Sequence, residues 1–313
     1  MGARGCLGPL LLLLLPPLPW GEHWGDGSGV ASAGSESLAG VVASAGGDGT
    51  SLQPSIIGGH EAKSHSRPYM VFILSERGAC GGALLHPRWV LTAAHCLQKG
   101  SWHKGRLLVG LHNWQNRGPG IQSFPIRAAC PHPGYNETTM ENDLLLLQLD
   151  GTVTLSRTRQ LISLPRKEPA PGARCSLAGW GLLHPKGKKL SPTLQEMEVT
   201  VMDSRMCNNS RFWNGGIGPN MICFQGQHCG SAPAKGDSGS PLVCGKQPAV
   251  AGVMSFGSPD PTDPFKPPVA TSTLKYKKWI QKTLQRGCRS GQPKHTGHTK
   301  QPFLFTQSIP PAW

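Results

Sequence analysis

The 313-residue sequence has few acidic residues, few aromatic residues and no long hydrophobic run. Its 17 Asp and Glu residues face 31 Lys and Arg residues, so the formal net charge is +14, and only 6% of the residues are aromatic. The longest apolar run is the six leucines of residues 10–15, whereas a membrane-spanning helix needs about 20 apolar residues. The 41 glycines and 29 prolines exclude a chain dominated by long helices.

The amino-terminal residues have the pattern of a secretory leader. Arg4 precedes the leucine run and Pro16 ends it, which is typical of a signal peptide, here predicted over residues 1–20. Residues 21–55 are rich in Gly, Ser and Ala and repeat Val-Ala-Ser-Ala-Gly, so we expect a flexible leader or pro-segment there. Secretion also fits the ten cysteines, which would form disulfides outside the cytosol.

The body of the chain has the pattern of an all-β protein. Short apolar stretches separated by turn-forming residues predict strands at residues 69–74, 89–94, 106–110, 144–149 and 249–255. Residues 271–285 have apolar side chains near helical spacing, which predicts a closing helix with lysines on its other side. Residues 287–313 lack a usable periodicity, and we expect them to form a disordered basic tail.

The net positive charge of the chain comes from the residues after residue 55. Residues 1–55 hold one basic and four acidic residues, so residues 56–313 are strongly basic. Such a surface attracts acidic glycans, anionic membranes or nucleic acid, or is solvated without a specific partner. No nucleic-acid-binding motif accompanies the charge, so no specific nucleic-acid partner is predicted.

One turn is suited to hold a nucleophile. Residues 235–240 read Lys-Gly-Asp-Ser-Gly-Ser. Glycine before Ser238 would let backbone N–H groups approach a substrate oxyanion, and the turn would expose the hydroxyl. Gly, Asp and Ser are also ordinary turn residues, so this motif alone is only moderately specific. An α/β-hydrolase elbow would need glycine where Ser240 stands.

Two further motifs supply the partners that a nucleophilic serine needs. His95 lies in Leu-Thr-Ala-Ala-His-Cys, and Asp143 precedes the apolar run 144–147, which would bury its carboxylate. An imidazole must accept the serine proton, and a carboxylate must hold the tautomer of the imidazole. The order His95, Asp143, Ser238, with spacings of 48 and 95 residues, is that of chymotrypsin-type proteases.

Residues 56 to about 285 therefore resemble the chymotrypsin-fold serine proteases, and among them the granzymes. The resemblance is carried by the three motifs and by Ile-Ile-Gly-Gly at residues 56–59, Pro-Tyr-Met at 68–70, Leu-His at 111–112 and residues 206–215 and 265–271. It implies a serine protease domain over residues 56–286. Two six-stranded antiparallel β-barrels are expected at about 56–165 and 166–270, followed by the closing helix.

The resemblance also implies roles for residues beside the triad. The N–H groups of Gly236 and Ser238 would form the oxyanion hole. Cleavage after Ser55 would free the amine of Ile56, which would fold inward and pair with Asp237, so the chain would be a zymogen. Because Gln53-Pro54-Ser55 contains no Lys or Arg, removal of dipeptides suits this site better than a trypsin-like activator.

The specificity pocket is expected in the second barrel. The resemblance puts its base at Ala232 and its walls near Gly257 and Pro268, with Ser255, Phe256 and Gly257 pairing to the substrate main chain. No acid stands at these positions to bind Lys or Arg, so an apolar P1 residue is expected, which the resemblance makes Met or Leu. Lys235, at the cleft mouth, favours acidic or polar substrate residues or is simply solvated.

The cysteine pattern matches the family in part. Expected bridges are Cys80–Cys96, Cys175–Cys244 and Cys207–Cys223. The family's fourth bridge is absent, since Ala234 and Pro261 occupy its positions. The remaining Cys130, Cys229 and Cys288 have no evident partners, and a zinc site using His228 and Cys229 lacks a ligand tetrad, so no metal and no cofactor are predicted.

Ser240 is a second departure, because the family has glycine there. If that position requires a positive φ or close backbone packing, serine costs about 1–3 kcal/mol locally. These departures keep open an alternative function, a catalytically weak basic homologue that binds polyanions or membranes.

The expected partners follow from the basic body and the resemblance. They are protein substrates, acidic proteoglycan within cytotoxic granules and serpin inhibitors, with the protein itself a monomer. Asn136 and Asn208 lie in N-glycosylation sequons, which fits secretory passage.

Overall fold

The computed structural model describes residues 56–288, apart from Arg77, residues 98–101, Arg117, Pro119, Pro185, Cys229 and Thr262. The predicted signal peptide, the leader and nearly all of the predicted tail lie outside these residues. Within them, no helix is long and apolar enough to cross a membrane.

Strands dominate the described residues, and two short helices accompany them. In chain order the strands are β1 (His60–Glu61), β2 (Met70–Ser75), β3 (Gly78–His86), β4 (Trp89–Thr92), β5 (Arg106–Val109), β6 (Gln122–Pro131), β7 (Leu145–Leu149), β8 (Arg174–Gly179), β9 (Gln195–Val201), β10 (Met221–Gly226), β11 (Pro241–Cys244), β12 (Ala249–Phe256) and β13 (Val269–Ser272). The α-helices are α1 (Ser204–Cys207) and α2 (Lys277–Arg286), and the 3₁₀ helices are Ala94–Cys96 and Trp102–Lys104.

The strands form two closed antiparallel barrels, as predicted. The first barrel has the order β2-β3-β4-β7-β6-β5, with β5 pairing back to β2. The second has the order β8-β9-β10-β13-β12-β11, with β11 pairing back to β8, and β1 adds to it at β9. Closure leaves neither barrel with a free edge.

Side-chain alternation explains why these sequences form barrels. Along β9, Gln195, Met197, Val199 and Val201 are buried while the residues between them are more exposed, which is the period of two that a half-buried strand requires. The apolar run of β7 is buried at nearly every position. Each barrel therefore encloses its own apolar core.

Helix α2 begins later than the periodicity predicted. Residues 271 and 272 belong to β13, where Thr271 pairs with Met221 and Val253, and the helix starts only at Lys277. Pairing on both sides of β13 outweighs the helical spacing of the apolar residues, because it satisfies the strand's backbone groups. Tyr276 and Ile280 then pack against the core of the first barrel.

Four disulfides close the described chain. Cys80–Cys96, Cys175–Cys244 and Cys207–Cys223 form as expected. The fourth, Cys130–Cys288, joins the end of β6 to the residue after Gly287, so these two cysteines are not unpaired as the sequence suggested. They are 158 residues apart and come together only because α2 returns to the first barrel. Cys229 lies outside the described residues.

Candidate active site

His95 and Asp143 meet through two hydrogen bonds at the edge of the first barrel. His95 lies in the 3₁₀ helix that follows β4, and Asp143 directly precedes the buried run leading into β7. His95 Nδ1 is 2.7 Å from Asp143 Oδ2, and the His95 backbone N–H donates to Oδ1 at 3.0 Å. Asp143 is fully buried and His95 is 7% exposed, so one carboxylate oxygen orients the ring and the other holds the backbone of the same residue.

Ser255 completes the surroundings of this carboxylate. Its Oγ–H donates to Asp143 Oδ2 at 2.5 Å from the end of β12, in the second barrel. Sequence reasoning assigned Ser255 only to the substrate pocket and missed this bond. The available signal for this bond was a hydroxyl near the end of a mostly buried strand. In the sequence, however, Ser255 is 112 residues from Asp143.

The turn that carries Ser238 packs against the strand leading to His95. Ser238 C=O accepts from Gly81 N–H at 2.8 Å, and Gly239 N–H donates to Met254 O at 2.8 Å. A methyl group on Gly239 would stand 2.2 Å from Thr92 Oγ1 and 3.2 Å from Ala93 N. Glycine is therefore required for this close approach, which brings Ser238 beside the segment of His95.

Gly236 has the conformation that the turn requires. Its φ is +102°, and a methyl group on it would stand 2.9 Å from Gly181 Cα and 2.6 Å from Leu190 Cδ2. Within the described part of the chain, neither Gly236 N–H nor Ser238 N–H donates to a backbone carbonyl. These are the two N–H groups that the sequence assigned to an oxyanion hole.

Asp237 points into the protein. Its carboxylate is fully buried and accepts from Gly181 N–H at 2.8 Å and from Ala234 N–H at 2.9 Å. A methyl group on Gly179 or Gly181 would stand within 2.3 Å of a carboxylate oxygen, so these glycines make room for it. Burial raises the pKa of Asp237 to about 7, although the two N–H donors lower it.

Ile56, the predicted partner of Asp237, is docked in the second barrel. Its side chain is fully buried in that barrel's core, and Ile57 C=O accepts from Ala232 N–H at 3.0 Å. In this chain Ser55 precedes Ile56, so the Ile56 nitrogen is a peptide nitrogen and carries no charge. Asp237 is therefore buried without the cation that the sequence assigned to it.

The expected pocket residues differ in their surroundings. Ala232 is buried beside Ile57, whereas Lys235 is exposed on the Ser238 turn. Phe256, Gly257 and Pro268 are half-buried. Ser255 is the exception, because its side chain is turned to Asp143.

The unfavourable feature of Ser240 is an unpaired hydroxyl among the described residues and not a strained backbone. It is fully buried, and its φ is not in the positive range where only glycine is unstrained. A methyl group on Gly81 would stand 2.0 Å from Ser240 Oγ, so the serine fits only because glycine faces it. The hydroxyl has no hydrogen-bond partner among the described residues, and leaving a buried hydroxyl unpaired is unfavourable.

The two sequons are not equivalent. Asn136 is exposed. Asn208 is half-buried, and its side chain donates to Ile217 O and accepts from Ile217 N–H, each at 2.8 Å. A glycan would replace one of the two hydrogens on Asn208 Nδ2, in half-buried surroundings, whereas the Asn136 side chain is exposed to solvent. Among the described residues, no group of three or more His, Cys, Asp and Glu is arranged to hold a metal.

Two closed barrels with an Asp-oriented His and a Ser-bearing turn between them define the class of chymotrypsin-fold proteases. The trypsin family model matches residues 56–280, so the chain belongs to the trypsin family of serine endopeptidases. It is 51% identical to human granzyme M over 76% of this chain and 92% of that protein. The resemblance in the local motifs is likewise to granzyme M in particular.

Other relatives support the same family. Human granzyme B is 37% identical over 74% of this chain and 92% of its own, and mouse serine protease 57 is 37% identical over 78% and 85%. The solved structure of neuropsin, a serine protease of mouse brain, superposes with a TM-score of 0.66 at 31% identity and covers 72% of this chain and 98% of its own. The chain is thus a granzyme-type serine protease.

Proposed function

We propose that Ser238, His95 and Asp143 cleave peptide bonds by acyl transfer, and that the residue before the cleaved bond is Met or Leu. The observation that supports this most directly is the buried hydrogen-bonded set of His95, Asp143 and Ser255 beside the Ser238 turn. A carboxylate held by three donors keeps the imidazole in place while the imidazole gains and loses a proton.

In the proposed reaction, Ser238 Oγ attacks the substrate carbonyl carbon while His95 Nε2 takes the hydroxyl proton. The N–H groups of Gly236 and Ser238 stabilise the tetrahedral oxyanion. His95 then gives the proton to the leaving amine, which departs and leaves an acyl-enzyme. Water attacks the ester with His95 again as the base, and Ser238 is regenerated.

Activation by a new amino terminus is part of the proposal. Removal of residues up to Ser55 would give Ile56 a positively charged amine, and Asp237 would be its partner. The raised pKa of Asp237 supports this, because a fully buried carboxylate without a cation is held in an unfavourable state. Pairing would stabilise the turn that carries Gly236 and Ser238.

The Met or Leu preference rests on the composition of the pocket. Ala232 is a small apolar residue at the expected base, and no acid stands among the pocket positions to bind a Lys or Arg side chain. A long unbranched or singly branched apolar side chain suits such a site. The 51% identity with granzyme M supports the same preference.

The cellular setting is proposed from the relatives and from charge. We infer secretion, storage in cytotoxic granules on acidic proteoglycan, and a role in killing target cells, with serpins as inhibitors. The net charge of +14 supports binding to acidic glycans. The alternative, a basic homologue with little activity, is favoured by the unpaired Ser240 hydroxyl and the absent fourth bridge.

One experiment separates these functions. Protein with Ile56 as its free amino terminus is treated with a fluorophosphonate probe and then with peptides that differ only at P1, which is Met, Leu, Phe or Lys. Labelling at Ser238 with Met or Leu preferred supports the protease and its pocket.

Ser238→Ala is the matched control and should lose nearly all turnover, by about 10⁶-fold, while still binding heparin. Folded protein that is not labelled would favour the binding homologue. Labelling with Lys preferred would reject the proposed pocket.

A further inference from the structure

Three consecutive residues, Arg211, Phe212 and Trp213, form a brace against the substrate-binding side of the second barrel. The Trp213 ring meets the Phe256 ring edge-on, with centroids 5.3 Å apart and planes at 87°. Trp213 Nε1–H donates to Pro267 O at 3.0 Å. One side chain thus holds both ends of the segment from Phe256 to Pro267.

Two cations reinforce these contacts. Lys266 Nζ donates to Phe212 O and lies 5.1 Å from the centroid of the Trp213 ring. The Arg211 guanidinium lies 5.0 Å from the centroid of the Phe265 ring, which also packs against the Phe212 ring at 5.8 Å. Aromatic pairs and cations over rings have preferred geometries, so they restrict orientation as well as bury surface.

The brace is itself firmly anchored. Phe212 is 7% exposed within a small apolar cluster that includes Cys207, Cys223 and Val269. The Cys207–Cys223 disulfide ties the brace loop to β10, and the Asn208 side chain bonds to Ile217 through both of its polar ends. The brace therefore acts as a fixed support and not as a loose loop.

The supported segment starts at the site. Phe256 follows Ser255, whose hydroxyl bonds to Asp143, and residues 255–257 are the expected partners of the substrate main chain. We call residues 255–257 the Phe256 wall. The disulfide that would hold this wall in the family is absent, because Ala234 and Pro261 occupy its positions. The contacts of the brace link residues 256 to 267 to the rest of the second barrel.

We propose that the brace replaces the missing disulfide and sets the position of the Phe256 wall, so that Trp213 and Lys266 are positioning residues for extended peptide substrates. The inference rests on the proposed protease function. The Phe256 ring packs at 87° against the ring of Trp213 and is half-buried. Part of its apolar surface is therefore left for contact with a substrate.

Three variants test the brace. Trp213→Ala removes the ring, Trp213→Phe keeps a ring without the Nε1 donor, and Lys266→Met keeps the stem without the cation. Trp102→Ala is the matched control, since Trp102 is a half-buried tryptophan on the first barrel. Each protein is assayed with a tetrapeptide that has Met at P1, with a single-residue Met ester and with the fluorophosphonate probe.

The expected result is a change in binding that depends on substrate length. Trp213→Ala should raise KM for the tetrapeptide about tenfold, the equivalent of one or two good contacts, with kcat within twofold. Trp213→Phe and Lys266→Met should each raise it about threefold. The Met ester, the labelling rate and Trp102→Ala should be unchanged within twofold.

Rescue tests the replacement directly. In the Trp213→Ala background, Ala234→Cys with Pro261→Cys should bring KM for the tetrapeptide back toward its original value in molecules whose mass shows the new bridge. A bridged protein with KM still raised would reject the replacement.

Other outcomes overturn the brace. Tetrapeptide KM unchanged in all three variants would do so, as would equal losses with the ester, the probe and the tetrapeptide, because that pattern indicates general disruption. If Trp213→Ala does not fold, Trp213→Phe and Lys266→Met decide, because they remove fewer contacts. Failure of the original protein to react with the probe would instead reject the proposed function.

Discussion

The two barrels contribute to the site in different states of completion. In the first barrel, Asp143 is fully buried, and its carboxylate receives His95 and Ser255. In the second barrel, Asp237 is also fully buried, but its donors within the described chain are two backbone N–H groups, and its pKa is about 7. The hydroxyl of Ser240, three residues further on, has no hydrogen-bond partner among the residues that the structure describes.

The difference suggests a site of regulation that follows from the proposed function. In the uncleaved chain, Asp143 already accepts hydrogen bonds from His95 and Ser255. Asp237 lacks the charged amine of Ile56 that we propose as its partner. We therefore propose that the first barrel's part of the site is complete on folding, whereas a freed Ile56 amine stabilises the turn in the second barrel.

Among the variants that test this comparison of the two barrels, we expect the largest effect from a change at Asp143. Asp143→Asn should lower kcat about 10⁴-fold, because an amide cannot hold the required tautomer of His95. The measurement is steady-state hydrolysis of the Met tetrapeptide by protein that begins at Ile56. A loss of less than tenfold in folded protein would mean that Asp143 does not orient His95.

The burial of Asp237 in the second barrel should make the free energy of unfolding depend on pH. In uncleaved protein carrying Ser238→Ala, the pKa of folded Asp237 lies near 7, above its ordinary value of 3.8. Uncleaved protein that carries only Ser238→Ala, the parent, should therefore lose stability as pH rises from about 4 to 7. Adding Asp237→Asn should remove this loss, so that its free energy of unfolding rises relative to the parent by up to about 4 kcal/mol over this range.

The measurement is the free energy of unfolding in urea at several pH values, for parent and Asp237→Asn. The same pair with Ile56 freed serves as the control, where the amine should supply the missing cation and flatten the difference. Curves for the uncleaved pair that run parallel across this pH range would contradict the account.

The Cys130–Cys288 disulfide, which ties the end of α2 to β6 of the first barrel, should matter for stability more than for catalysis. Cys130→Ala with Cys288→Ala should lower the free energy of unfolding by about 2–4 kcal/mol, since α2 is then no longer tied to β6. Removing Cys207–Cys223, which closes a separation of 16 residues instead of 158, should cost less. Thermal unfolding of the two double variants gives the comparison, and equal losses would argue against loop length as the cause.

The smallest effect should sharpen the contrast. Ser240→Ala removes the unpaired hydroxyl and should raise the free energy of unfolding by about 1–2 kcal/mol. Ser191→Ala is the matched control, because Ser191 is equally buried but donates to Thr193 O at 2.6 Å, and it should lower stability. A loss of stability in Ser240→Ala would show that the hydroxyl has a partner.

The residues found from sequence were those set in distinctive local motifs. His95, Asp143 and Ser238 each lie in a short run whose residue types carry the chemistry, and five strands were predicted from apolar stretches. The bond from Ser255 to Asp143 and the Cys130–Cys288 bridge were not foreseen, because both depend on contacts between segments more than 100 residues apart. The predicted start of helix α2, residue 271, was too early, because residues 271 and 272 pair with β10 and β12 as part of β13.

The sequence by itself determined the class of fold, the family and the absence of an acid at the expected pocket positions, since these follow from residue types and local spacing. Only the tertiary structure decided which donors reach Asp143, which described groups surround Asp237 and Ser240, and that Trp213 packs against Phe256. Burial and hydrogen-bond partners are properties of segments brought together by barrel closure, and no local pattern specifies them.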